Sequence, residues 1–309
     1  MENVIVAIYC TVYNHAKYLR QCLDGFLMQK TDFKFVVVVH DDASTDGSIG
    51  IINEYVEKYP AIILPIYEEI NQYSDTRVAR DKLYNATIAY GIKYIANCEG
   101  DDYWTDEYKL QKQISFLESH PDFVMCTTRL KVFNEKEQTY NSDFLPLRIT
   151  GDGKVYDLED CLSGRFYFHL QTLVYRADAS GYSAYRKCRS GFDRVLAFYL
   201  LSDGSKGMCI PDVTACYRRN ENSVWAYKQS IERFEIVVKA TMAVYENTPD
   251  YNAARFIYSN LSRGISRKWI LHNKRNFCSM LFSIQRHLGF RPCLKLIWNN
   301  ILLGKYFEI

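Results

Sequence analysis

Along the first 120 residues the apolar positions switch between two periods, and each switch marks an element. Val4 to Thr11 (VIVAIYCT) is β-branched and almost wholly apolar, which predicts a parallel strand covered on both faces. Leu19, Cys22, Leu23, Phe26 and Leu27 then recur at helical spacing. Phe33 to Val39 predicts a second buried strand. The helix after it carries Ile52, Tyr55, Val56 and Tyr59 on one face and stops at Pro60. Ala61 to Tyr67 predicts a third strand, and Thr76 to Tyr90 a third helix closed by Gly91. Tyr94 to Asn97 is a short buried strand. Beyond it, Thr105 or Asp106 can cap a helix with Leu110, Ile114 and Leu117 on one face. Strands alternating with helices in this way predict a doubly wound α/β unit. In such a unit the loops at Tyr13, at Asp41 and at Asp101–Asp102 leave the same edge of the sheet, where open α/β sheets hold ligands.

The later pattern is less regular. Phe123 to Phe133 predicts a strand, and Asn134 to Lys154 is polar and without period, the kind of long loop that makes acceptor contacts or forms a lid. Tyr156 to Leu162 predicts a short helix, and Phe166 to Tyr175, which contains His169, a strand. Ser190 to Phe198 opens a helix with Asp193 near its start; Met208 to Ile210 and Val213 to Tyr217 predict two short strands. From Ala226 the period is helical: Ile231 to Tyr245, Tyr251 to His272, Asn276 to Leu288 and Cys293 to Leu303.

Charge divides the chain along the same boundary. The net charge of the 309 residues is +2, yet Ala226 to Ile309 holds 13 Lys and Arg against 5 Asp and Glu. A mildly acidic body with a basic tail suits an anionic surface for the tail, such as a membrane, and no motif for nucleic acid supports that partner. The competing reading of the tail is a helical cap on the body with solvated basic residues. The ten cysteines show no Cys-x-x-Cys or zinc spacing, and several lie in apolar runs, as small buried side chains in a reducing compartment. No basic region precedes the first apolar run, and no run approaches the roughly 18 apolar residues of a membrane span. The expectation is a cytoplasmic protein, peripheral at the inner face of the membrane if the tail binds there.

The chemistry concentrates in Cys98-Glu99-Gly100-Asp101-Asp102-Tyr103-Trp104. Two adjacent carboxylates at the end of a buried strand repel each other, and a divalent cation with oxygen ligands relieves that repulsion. Alternatively the pair is a solvated turn that starts the next helix.

Three stretches decide between these readings: Thr11-Val12-Tyr13-Asn14, Val38-Val39-His40-Asp41-Asp42-Ala43-Ser44-Thr45-Asp46-Gly47-Ser48, and the acidic stretch itself. In order and spacing they resemble the family 2 glycosyltransferases, inverting enzymes of the nucleotide-diphospho-sugar transferase (GT-A) fold. The resemblance runs from residue 1 to about 130, more weakly to about 225, and does not visibly reach the last eighty or so residues. It implies a doubly wound mixed sheet flanked by helices over 1–225, with a nucleotide- and metal-binding half at 1–105 and an acceptor half at 106–225. A basic helical extension would follow at 226–309.

Residue by residue, the resemblance implies that Thr11 and Tyr13 pack on the nucleotide base and that Asp41 reads it by a hydrogen bond, favouring uracil. Asp101 would lie nearer the ribose and Asp102 on a Mn²⁺ or Mg²⁺ ion. Arg80 would face the diphosphate or else be a solvated helix residue; Asp42 and Asp46 would start a helix. Trp104 and His169 would contact donor or acceptor sugar, His169 alternatively being structural. Asp193 matches the family's general base, or merely caps its helix; Asp178 and Asp203 are the fallbacks. Asn220 stands where relatives carry a His.

The function implied is metal-dependent transfer of one sugar from a nucleotide-diphosphate donor to a glycan or lipid-linked acceptor in surface-polysaccharide assembly. Because the Gln-x-x-Arg-Trp motif of processive synthases is absent, polymerisation is not expected. Two other classes remain. A non-catalytic binding protein on the same fold has only Asn220 in its favour. A sugar nucleotidyltransferase would want a Gly-rich basic loop where Val12-Tyr13-Asn14-His15 stands.

Overall fold

The structure, a computed structural model, describes residues 4–73, 75–142, 149, 151–163, 165–166, 168–191, 193–220, 230–262 and 274–297. The first half alternates as the sequence predicts: β1 (Val4–Val12), α1 (Ala16–Leu27), β2 (Lys34–Asp41), α2 (Ser48–Lys58), β3 (Ile63–Tyr67), α3 (Arg77–Ile88), β4 (Tyr94–Glu99), β5 (Tyr103–Trp104) and α4 (Lys109–Ser119). Along β1 the side chains of Val6, Ile8, Cys10 and Val12 enter one apolar layer, and Ala7 and Tyr9 the opposite one. Both faces are covered, so the strand has no polar side.

The second half comprises β6 (Phe123–Asn134), β7 (Thr139–Ser142), β8 (Lys154–Tyr156), α5 (Leu158–Ser163), β9 (Val174–Arg176), α6 (Tyr182–Lys187), α7 (Asp193–Leu201) and β10 (Lys206–Arg219). One sheet carries all these strands in the order β3-β2-β1-β4-β9-β6-β10-β5, with β7 beside β6 and β8 beside β10. Its first four strands are mutually parallel, and β9 lies antiparallel between β4 and β6. The sheet is therefore mixed, as expected of the fold.

Two expectations are corrected here. Phe166 to Tyr175 is not one strand: among the described residues of this stretch only Val174–Arg176 joins the sheet, after a single 3₁₀ turn at Leu170–Thr172. The carbonyls that a ladder would use are taken by side chains. Trp104 Nε1 donates to Gln171 O at 2.9 Å and Gln113 Nε2 to Thr172 O at 2.9 Å. Met208–Ile210 and Val213–Tyr217 are one strand, β10. Its register against β6 slips between Cys209 and Val213, where Pro211 has no N–H to give.

The C-terminal helices are α8 (Ser230–Asn247), α9 (Tyr251–Ser262), α10 (Lys274–Leu288) and α11 (Phe290–Ile297). Ala240, Ala243 and Val244 of α8 with Ala253 and Phe256 of α9 pack into the same core as α7. Phe277, Met280, Ile284, Cys293 and Leu296 close a smaller core against Val238, Ile257 and Leu261. The parts of the expected helices at 263–273 and 298–303 lie outside the described residues.

Candidate active site

The register of three parallel strands assembles the site. Thr11 lies opposite His40 on one side and Glu99 on the other, and Val12 opposite Asp41. The first two loops are stitched together: Asn14 N–H donates to Ser44 Oγ (2.9 Å), His15 N–H to Ser48 Oγ (3.0 Å) and Ala16 N–H to Asp46 Oδ2 (2.8 Å). Asp46 therefore does more than start α2, since it also fixes the loop that carries Tyr13. Asp42 instead accepts from Gln72 N–H at 2.6 Å. Tyr13 is 48% exposed at the rim. Below it Asp41 is fully buried; its Oδ1 accepts from Ser44 N–H at 2.9 Å, while its Oδ2 has no partner among the described residues. An unpaired buried carboxylate oxygen is costly and suits an incoming N–H donor.

The next strand ends in three carboxylates. One oxygen from each of Glu99, Asp101 and Asp102 lies within 4.8 Å of the others. Two unit charges at that separation repel by roughly 3–4 kcal/mol at an effective dielectric near 20. Three such pairs are comparable with the whole stability of a domain, about 5–15 kcal/mol, so positive charge beside the cluster favours its ionised form. Burial, then the neighbouring Asp101 and Glu99 charges, holds the Asp102 carboxyl well above the usual carboxylate range. Glu99 touches solvent yet is walled in by protein on its other sides; desolvation, then Asp101 and Asp193, pushes it up to about 8. Gly100 lets the carboxylates converge, because a Cβ there would lie 2.9 Å from His15 Nδ1 and 3.0 Å from Val12 Cγ2. Hard oxygen ligands, a nearly buried acid and mutual repulsion fit a divalent ion such as Mg²⁺ or Mn²⁺. Glu99 is the member that sequence reasoning left unassigned, although Glu99-Gly100-Asp101 itself carries a carboxylate–x–carboxylate spacing.

The end of β10 clasps this loop. Arg218 N–H donates to Asp102 Oδ1 at 2.7 Å and its Nε to Asp101 O at 2.9 Å. Its guanidinium also donates to Gln21 and lies over the rings of Tyr18, Tyr103 and Phe133. Asn220, 2% exposed, donates through Nδ2 to Asp101 Oδ2 at 2.9 Å. The amide thus takes up an oxygen of the acidic cluster from the end of β10. Arg218 was also unassigned from sequence, for its role depends on a strand pairing that local pattern does not reveal.

Asp193 begins α7, half-buried, with its Oδ1 accepting from Arg194 N–H at 2.7 Å. Burial raises its carboxyl to about 6 despite that bond and the Arg194 charge. Its charge adds to that of Asp101 in raising Glu99. His169 stacks on Tyr217 at 5.2 Å between ring centroids, and Tyr217 in turn feels the charges of Asp102, Glu99 and Asp101.

Two expected contacts are placed elsewhere. Trp104 is 2% exposed, hydrogen-bonded to Gln171 O, edge-on to Phe26 at 4.8 Å and covered by Lys109 Nζ at 4.4 Å. At this exposure, with its N–H bonded to Gln171 O and Phe26 and Lys109 against its ring, it is a core residue with no free face to offer a sugar. Arg80 is neither solvated nor turned to the acidic loop: it is 8% exposed and donates to the Cys188 and Ser190 carbonyls.

The family model for glycosyl transferase family 2 matches residues 7–179, more than half of the chain and all the elements that carry the three loops. The chain belongs to glycosyl transferase family 2. An uncharacterised protein of Mycobacterium tuberculosis is 35% identical over 222 residues, 69% of this chain and 58% of its own length, so this chain spans under two thirds of that relative. The putative glycosyltransferase EpsE of Bacillus subtilis is 31% identical over 130 residues, 42% of this chain and 44% of EpsE. Among solved structures, S. aureus TarS 1–349 in complex with UDP-GlcNAc aligns with a TM-score of 0.67 over 99% of this chain and 93% of that one. At 15% identity this likeness shows the fold, and that fold is the one the glycosyl transferase family 2 motifs imply.

Proposed function

We propose that the protein is an inverting, non-processive glycosyltransferase that moves a sugar from a nucleotide-diphosphate donor, UDP-linked in preference, to a hydroxyl of a glycan or lipid-linked acceptor. One observation carries the reading. The unpartnered oxygen of buried Asp41 and the Glu99–Asp101–Asp102 cluster stand at the same edge of the sheet, as a nucleotide base and a metal-bound diphosphate require. Uracil offers an N–H to such an oxygen, and exposed Tyr13 offers a ring to stack on it. A divalent ion on the three carboxylates would supply charge stabilisation for the departing diphosphate.

Asp193 performs the proton transfer. With its carboxyl near 6 it is mostly ionised at neutral pH, and so takes the proton from the acceptor hydroxyl as that oxygen forms its bond to the anomeric carbon. The carbon–oxygen bond to the diphosphate breaks in the same displacement, which inverts the anomeric configuration. Asn220 and Arg218 hold the acidic loop in place, so Asn220 no longer speaks for a non-catalytic protein.

The test is a screen of UDP-, GDP-, CMP- and dTDP-sugars with Mn²⁺, following donor hydrolysis and product anomer by NMR. The expected result is one donor class hydrolysed only with metal, giving the inverted sugar first. Hydrolysis of none, or retention of configuration, contradicts the proposal.

The acceptor side adds a surface. Between 274 and 297 there is no acidic residue. Arg275, Arg286, Arg291 and Lys295 are exposed there beside Phe282, Phe290 and Leu294, which are 67%, 60% and 49% exposed. Basic side chains around exposed aromatics suit an anionic lipid surface. No described helix is long and apolar enough to cross a membrane. The full chain is expected to float with phosphatidylglycerol vesicles and not with phosphatidylcholine vesicles, and Phe282→Ser with Phe290→Ser to weaken binding at least tenfold. Equal flotation of the double variant assigns binding to another surface.

A further inference from the structure

The loop that delivers Asp193 has an unusual support. Four successive carbonyls, Cys188 to Gly191, each accept a hydrogen bond from a side chain. Arg80 Nη2 donates to Cys188 O, and Arg80 Nη1 to Ser190 O at 2.9 Å. Thr76 Oγ1 donates to Arg189 O at 3.3 Å, and Tyr185 OH to Gly191 O at 3.3 Å. The Arg80 guanidinium also lies 4.4 Å from the centroid of the Tyr185 ring, so that α6 stacks on the group that α3 inserts. A second joint locks these helices together, with Arg186 paired to Asp81 at 2.9 Å and its guanidinium 3.6 Å from the centroid of the Tyr84 ring. The loop approaches so closely that a Cβ on Gly191 would lie 2.9 Å from Thr76 Oγ1 and 3.2 Å from Arg80 Nη1.

We propose that Arg80, assisted by Thr76 and Tyr185, is the positioning residue for Asp193, fixing the loop two residues upstream of it from the nucleotide-binding half of the molecule. This rests on Asp193 being the base. Residues 188–191 lie outside helix and strand, so their carbonyls have no ladder to join. An apolar side chain at position 80 would fill the space at lower desolvation cost, but would take the donor from the buried Cys188 carbonyl and the half-buried Ser190 carbonyl. Arg80 reaches the two carbonyls through two separate nitrogens of one rigid plane, a spacing that the single ammonium of lysine does not reproduce. Since displacement of a reacting group by about 1 Å costs on the order of 10²-fold in rate, the clamp bears on turnover directly. It also ties the base to α3, whose strand neighbours carry the nucleotide loops, so donor site and base share one rigid frame.

The experiment uses the full chain and the nucleotide sugar selected by the screen above. Arg80→Ala is expected to lower kcat by about 10–100-fold with the donor KM unchanged within about twofold. Hydrogen exchange of the amides at 188–193 should rise while β1 and β4 stay protected. Millimolar guanidinium should restore part of the lost kcat, and Arg80→Lys should fall between wild type and Arg80→Ala. In an Asp193→Asn background Arg80→Ala should cost nothing further, because the group it positions is gone. Tyr185→Phe, which keeps the ring and deletes one bond, provides the milder variant if Arg80→Ala does not fold; it should lower kcat by a few-fold. A raised donor KM at unchanged kcat would make Arg80 a donor contact and overturn the proposal. So would an equal fractional loss in the Asp193→Asn background. Full turnover in Asp193→Asn alone would instead refute the base assignment, and unaltered exchange at 188–193 in Arg80→Ala would then refute the clamp by itself.

Discussion

Asp193→Asn is expected to lower kcat by about 10²–10⁴-fold, the usual contribution of a positioned general base, while donor affinity stays within twofold. The side chain sits at the first turn of α7 and its Oδ1 caps the helix through Arg194 N–H. Asparagine keeps an oxygen for that bond, so the variant should fold, and any loss reports chemistry. In the wild type the kcat/KM profile should fall on the acid side as Asp193 takes up a proton near pH 6. A cation bound nearby would add positive charge, which moves that limb to lower pH and never to higher. Asp193→Asn should lose the limb altogether. A variant with unchanged kcat and an unchanged acid limb would show that Asp193 only caps its helix.

Asp102→Asn is expected to abolish metal-dependent donor binding, weakening it at least a hundredfold, without unfolding the chain. The amide oxygen can still accept from Arg218 N–H, but the charge that binds a cation is gone. Stability should move the other way in metal-free protein. Burial first, then the two neighbouring acids, raises the Asp102 carboxyl, and Glu99 is raised to about 8. Such groups hold more protons when folded than when unfolded. Their stabilising contribution is therefore complete below the ordinary carboxylate range near pH 4, and is lost as pH rises towards about 8. Asp102→Asn removes one of these ionisations, so chelated Asp102→Asn should melt no lower than chelated wild type at pH 8. Manganese should raise the wild-type Tm and leave that of the variant where it was. Parallel shifts in both proteins would place the metal elsewhere.

How much of this was legible in sequence depends on the kind of force involved. The run VIVAIYCT predicts a strand covered on both faces because burial is written into side-chain identity, whereas its register with β2 and β4 is not, since an all-apolar run fits its neighbours at several offsets. The acidic stretch was visible for the same reason: the cost of adjacent carboxylates is a local property. Trp104 misled because an aromatic beside a ligand-binding motif reads the same whether it faces substrate or core. Only the tertiary partners Gln171, Phe26 and Lys109 decide it. Arg80 was ambiguous on its helix, since its partners lie more than a hundred residues away in a loop with no period of its own. The strand expected over Phe166 to Tyr175 failed for a related reason, because β-branched and aromatic residues pack as well in a turn whose carbonyls are claimed by Trp104 and Gln113.

The most direct measurement is a calorimetric titration of UDP into the full chain at pH 8, once with Mn²⁺ and once with a chelator in its place. A metal-bound diphosphate on Glu99, Asp101 and Asp102, with its base on Asp41, predicts binding only with Mn²⁺. It also predicts affinity that weakens as pH is lowered from about 8, because Glu99 and Asp102 must release protons to accept the ion. Equal binding with chelator, or no binding of UDP under either condition, would contradict the account.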